Sequence, residues 1–302
     1  MVKCTVCDTS FDKNDFESFS NHLITQADAS DPKHISWLNK NITKNKIDQQ
    51  ELTELLRNFF NYKDSGLKNW ILQIFIKKFF AENIHPFVQR MQKSNPERSV
   101  LLGYVIEHQH FLKQWVKSCA LILAKSGKDD VIRYETDNIV TEYGGHEFCH
   151  TIPHVDFLIQ MGMSLGLSRD EIIKIPPLQE TKDCIEFWDH IANNNHWVET
   201  MLAMHGLELI ANKELRSEGA KVHYFDPNIF SSKEATKETK EFLREGYEAD
   251  VHHASEAIDL VIKYATEFDI VEDVQATFLR SIDVFDNYLM SRLKRAKDFE
   301  NQ

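Results

Sequence analysis

Apolar residues recur at helical spacing along most of the chain. From Asp48 onward, Leu52, Leu55 and Leu56 with Phe59 and Phe60 mark one amphipathic helix. Trp70, Ile71, Ile74 and Phe75 with Phe79 and Phe80 mark a second, which ends near the His85-Pro86 step. Residues 95–124 open with Pro96 and Glu97 after a capping Asn95 and are apolar on nearly every face, as a helix inside a bundle must be. A polar turn at Ser126-Gly127-Lys128 leads to a segment ending at Gly144-Gly145, and further helices are predicted from about 153 to 166 and 181 to 213. Two last helices, about 232–265 and 271–296, close the pattern. Between them, residues 216–231 hold Gly219, Pro227 and the aromatic cluster Tyr224, Phe225 and Phe230, which predicts a long loop that covers something. Residues 1–45 have only short apolar stretches and read as a separate small module ahead of a bundle spanning 46–302.

Composition sharpens this to an all-α fold. Gly and Pro number 10 and 7 in 302 residues, well under the roughly 12% of average proteins, so the turns that sheets and barrels require are scarce. A net charge of −12 repels phosphate backbones and argues against nucleic-acid binding. No apolar run approaches the roughly eighteen residues of a membrane span, and the first residues lack the apolar core of a secretory signal, so a cytoplasmic protein without membrane contact is expected. Five cysteines, with only Cys4 and Cys7 close together, do not form a disulfide framework.

Cys4-x2-Cys7 has the spacing of a zinc knuckle, and His22 and His34 downstream complete a tetrahedral set for a structural Zn(II) ion. A module this short needs such a staple to fold. The gap from His22 to His34 exceeds that of a DNA-reading finger, and residues 1–50 hold seven acids against six bases, so base reading is not expected.

Carboxylates interrupt the apolar faces. Glu107 falls between Tyr104 and Phe111, Glu208 follows the stripe Trp197, Met201 and Met204 with His205 one turn back, and Asp250 with His253 break the stripe of the penultimate helix at i, i+3 spacing. Such groups are costly to bury unless paired or bound to a metal. Glu142, followed by His146, His150 and His154, adds a fourth acid, and an oxygen-rich set with a few imidazoles suits iron or manganese. A rival signal is His146-Glu147-Phe148-Cys149-His150, a literal H-E-x-x-H zinc-hydrolase match. Its context is poor, because Gly144-Gly145 and Pro153 bracket it where a continuous helix is needed.

The run Asp137-Asn138-Ile139-Val140-Thr141-Glu142-Tyr143-Gly144-Gly145, with His154 and Phe157 ahead of Leu165-Gly166-Leu167, resembles the haem-oxygenase-like di-iron oxidases and oxygenases, relatives of TenA and PqqC. Glu107, Glu208 and Asp250-x2-His253 occur in the order of that family's iron ligands. The resemblance covers about residues 48–296 and implies a bundle of about seven or eight helices. It implies two Fe(II) ions held by Glu107, Glu142, His154, Glu208, Asp250 and His253, with O2 as co-substrate and a small organic, amino- or carboxylic-acid substrate. Many members carry H-x3-D-x2-H in the last ligand helix; here its first position is Gly246, which leaves room for His205 or His150 as a substitute ligand. Two other readings stay open: a ferritin-like iron site built on Glu107-x2-His110 and Asp250-x2-His253, and a metal-free binding protein. A homodimer is compatible with each.

Overall fold

The computed structural model describes residues 2–42, 47–60, 66–144 and 152–300, the side chains of 248–253 excepted. It opens on a two-strand antiparallel hairpin, β1 (Val2–Lys3) and β2 (Ser10–Phe11), with Val2 opposite Phe11. Asp15 then caps α1 (Phe16–Asp28) by accepting from the Ser18 N–H, and Asp31 caps α2 (Pro32–Asn41), whose first residue is the proline that a helix start tolerates. Helices α3 (Gln49–Phe60), α4 (Gly66–Phe79) and α5 (Pro86–Met91) lead to the 29-residue α6 (Arg98–Ser126). There follow α7 (Asp129–Gly144), α8 (His154–Ser164), α9 (Arg169–Lys174), α10 (Gln179–Asn194) and α11 (Trp197–His205). A 3-10 turn (Gly206–Ile210) and an irregular stretch precede the two long helices α12 (Lys237–Glu267) and α13 (Val271–Ala296). Among the described residues no helix is long and apolar enough to cross a membrane.

The long helices match the hydrophobic periodicity, but the bundle has more helices than the seven or eight expected. Most instructive is the break inside the expected 181–213 helix. Asn195 is extended (φ −88°, ψ 172°), the His196 side chain accepts from the Val198 N–H, and Glu199 accepts from the His196 N–H, so a capping box starts a new helix where periodicity alone runs on. The helix then tightens to 3-10 after His205, which turns Glu208 inward.

α6 and α13 form the axis, packing on each other and on α10 and α11. They approach closely at Gly103, where an added Cβ would collide with the Arg292 carbonyl oxygen and lie 2.9 Å from the Ala296 nitrogen. Gly103→Ala is therefore expected to lower stability by about 1–3 kcal/mol or more, because backbone cannot yield as a side chain does. A urea midpoint equal to wild type would show that α6 and α13 are not so close.

The leader docks on α13. Lys13 pairs with Glu272 at 2.6 Å, Lys40 with Asp286 at 2.9 Å and Lys3 with Asp273, while Arg280 Nε donates to the Thr5 carbonyl at 3.0 Å. Phe16 stacks on Phe60 of α3, Phe19 meets Phe60 tilted and Trp37 meets Phe59 edge-on, so the leader's core continues past residue 45. The predicted loop at 216–231 is pinned by Lys221 N–H to the Phe80 carbonyl (2.9 Å) and Asp226 N–H to the Met91 carbonyl (3.1 Å). Its Tyr224 and Phe225 are buried and close one side of an internal cavity.

Candidate metal centres

The first centre lies in the leader. The ligand atoms of Cys4, Cys7, His22 and His34 all lie within 4.8 Å of one another. A tetrahedral zinc ion about 2.3 Å from sulfur and about 2.1 Å from nitrogen would set ligand atoms roughly 3.3–3.8 Å apart. Cys4 Sγ to His34 Nε2 is 3.5 Å and Cys7 Sγ to His22 Nε2 is 3.4 Å. The hairpin presents the thiols, α1 presents His22, and α2 presents His34, which explains the long spacing between the histidines: they sit on two helices. Asp31 Oδ1 accepts from His34 Nδ1 at 2.7 Å, which fixes the tautomer and leaves Nε2 for the metal. Burial pushes the Cys4 thiol up to about 11. Burial acts likewise on Cys7, but hydrogen bonds from Thr9 and then His34 prevail and bring it to about 7. Two thiols ionising so far apart are the state that a cation equalises by displacing protons.

The second centre lines the cavity beneath Tyr224 and Phe225, whose volume is about 110 Å³. Glu142 at the end of α7, His154 at the start of α8 and Glu208 on the 3-10 turn border it, and Glu245 of α12 stands behind His154. His154 Nδ1 is 3.9 Å from Glu142 Oε1 and 3.8 Å from Glu245 Oε1. Burial and then the Glu208 charge push the Glu142 carboxyl up to about 8. Glu245 is raised by burial and by Glu142, against the lowering effect of His154. His154 is lowered by burial, with Glu245 opposing. His154 Nε2, Glu208 Oε2 and Glu245 Oε2 are buried without a hydrogen-bond partner. Two carboxyls that burial keeps from ionising readily thus stand beside three buried atoms without partners.

Glu208 is in turn positioned from behind. His205 Nδ1 lies 3.3 Å from Glu208 Oε1, and His205 Nε2 lies 2.9 Å from the fully buried Glu135. Burial disfavours the imidazolium, but the Glu135 carboxylate outweighs it and raises His205 well above the ordinary range. Both ring nitrogens are thus engaged, with Tyr134 Oη also 3.2 Å from Nδ1, and the ligand atoms of Cys119, Glu135 and His205 lie within 4.8 Å of one another.

The profile of the TENA/THI-4/PQQC family matches residues 74–295, most of the chain. The chain belongs to that family. A profile of the C2H2 type zinc-finger matches once, over residues 1–61, which supports zinc binding by the leader. A domain with a heme oxygenase-like fold from Shewanella denitrificans superposes with a TM-score of 0.56 at 19% identity, covering 85% of this chain and 96% of its own. A TenA homolog from Pseudomonas syringae pv. tomato superposes with a TM-score of 0.54 at 14% identity, covering 70% and 85% respectively. Such identities show the shared fold alone. No curated protein matches the chain.

Within this TENA/THI-4/PQQC bundle the expected ligands divide. Glu142, His154 and Glu208 meet at the cavity, whereas Glu107 does not reach it. Glu107 is fully buried, but Arg295 Nε donates to one oxygen at 2.7 Å and the Leu178 N–H to the other at 3.1 Å. An ion pair from α13 satisfies it where a metal was expected, and its neighbour His108 is the residue that faces the cavity. His110 Nε2 lies 3.2 Å from the Ile175 carbonyl, so the Glu107-x2-His110 half of a ferritin-like site is not assembled. The side chains of Asp250 and His253 lie outside the described residues, as do His146, Glu147 and His150. Glu245 was missed, although it lies one turn after Phe242 on the same face of α12. Arg295→Met would strand the buried Glu107 charge and is expected to cost about 3–5 kcal/mol. Iron content should not change; a variant that loses iron with unaltered stability would return Glu107 to the ligand set.

Proposed function

We propose that the chain is a non-haem di-iron enzyme that uses O2 to oxidise a small organic substrate inside the bundle. The observation that carries this is the meeting of Glu142, His154 and Glu208, from α7, α8 and the 3-10 turn, at one cavity, with Glu245 of α12 behind His154 and three buried atoms without partners. Hard oxygen donors with few nitrogens fit iron in preference to the thiolate-loving zinc of the leader. Glu142, His154, Glu208 and Glu245 would hold the metal, with Asp250 and His253 as the remaining candidates from the sequence. When bound, ferrous ions supply the electrons that O2 reduction requires.

The chain's own residues set the conditions. Phe111, Trp115, Leu207, Phe242 and Phe285 line the cavity and exclude water. His205 and Glu135 keep Glu208 aimed at the site. The test is anaerobic addition of Fe(II) to the full chain, followed by O2. A transient visible absorption and stoichiometric O2 uptake are expected in wild type and should be lost in Glu245→Ala. O2 uptake no faster than that of free Fe(II) would sink the proposal.

A further inference from the structure

On the wall of the same cavity stands a cation without an anion among the described residues. Arg292 of α13 is 2% exposed and lines the cavity. A guanidinium does not lose its proton in a protein, so this is a buried charge. Two other deeply buried cationic side chains among the described residues have carboxylate partners: Lys78 with Asp283 at 2.5 Å, and Arg295 with Glu107. Arg292 has none among the described residues. Its Nη1 donates to Tyr224 Oη at 2.5 Å, its Nη2 donates to Tyr288 Oη at 2.9 Å and lies 3.1 Å from His108 Nδ1, and its Nε is buried without a partner. The group lies 4.0 Å from the ring centre of Tyr104, 4.6 Å from that of Tyr288 and 5.1 Å from that of Phe87.

Neutral hydroxyls and ring faces hold the guanidinium in one plane, but they do not neutralise it. Burying a charge in that state costs several kcal/mol unless an anion completes it. Evolved binding sites tolerate that cost where the ligand brings the counter-charge.

We propose that Arg292 is the anchor for the carboxylate of a small organic acid whose short apolar remainder extends along the aromatic wall toward Glu142 and Glu208. Arg292 is the one Lys or Arg among the described lining residues, and His108 is kept neutral, first by burial and then by Arg292 itself. One positive charge matches a monoanion and is too little for a phosphate. The volume sets the size: since a cavity of roughly 150 Å³ accepts benzene, about 110 Å³ suits an acid of roughly four to six non-hydrogen atoms. This rests on the cavity being the substrate site, as under the proposed function, but not on the identity or presence of the metal.

Butyrate and its neutral isostere butyramide are the probes, titrated into the full chain by ligand-observed NMR before and after anaerobic Fe(II) addition. Butyrate is expected to bind wild type about tenfold to a hundredfold more tightly than butyramide, the range of a hydrogen bond to a charged group, without iron. In Arg292→Met that selectivity disappears, and in Arg292→Lys it is partly kept. Equal affinities for the two probes in wild type overturn the proposal even if the Met variant fails to fold. Selectivity that appears only with Fe(II) and survives Arg292→Met also overturns it, placing the carboxylate on the metal. Arg292-dependent selectivity in a protein that takes up no iron upholds it and refutes the di-iron reading alone.

Discussion

Replacing Cys4 and Cys7 together with Ser is expected to remove the zinc ion and unfold the leader. Structural zinc sites of this kind contribute on the order of 10 kcal/mol to folding, far more than the hairpin of β1 and β2, with two residues in each strand, can supply. Phe16, Phe19 and Trp37, all nearly inaccessible, would then lose their packing against Phe59 and Phe60. Elemental analysis should find zinc reduced from one equivalent to background, and tryptophan emission should shift to the red as Trp37 meets water. Full zinc content in the double variant would place the ion elsewhere.

Glu208→Gln is expected to have the second large effect, in two directions at once. The amide keeps the shape but not the charge, so iron affinity should fall at least tenfold to a hundredfold, the cost of disturbing even an indirect ligand contact. Metal-free stability should rise modestly, because the like charge that helps lift Glu142 is gone. The sign follows from linkage. With Glu142 raised from 4.5 to about 8, its proton contributes stability that is fully present below about pH 4.5 and lost as the pH rises through about 8. Wild type without metal should therefore weaken across that window, and Glu208→Gln should weaken less. Parallel stability curves for the two proteins would show that Glu142 and Glu208 do not share a site.

Much of the fold is written in local patterns. The apolar surface of α6 and the stripe of α13 are periodic, and helices follow from periodicity. The break at Asn195-His196 is not, since it depends on a capping box that competes with helix continuation. The grouping of Cys4, Cys7, His22 and His34 was legible because thiol spacing and two histidines in a short module leave few alternatives. The cavity was legible only in part. Glu107 looks like Glu208 in sequence, each an acid on an apolar face; what separates them is Arg295, 188 residues away, a contact that no local pattern carries. Arg292 left a signal that went unread: on α13 it interrupts the stripe Phe285, Tyr288 and Ala296, as Glu208 interrupts its own.

The most direct test of the central claim is the iron stoichiometry of the full chain after anaerobic Fe(II) loading and desalting, read by elemental analysis beside zinc. Two irons and one zinc per chain are predicted, with the irons lost and the zinc kept in Glu208→Gln. A folded, zinc-replete protein that retains no iron, or a Glu208→Gln variant that retains as much as wild type, would contradict the di-iron account.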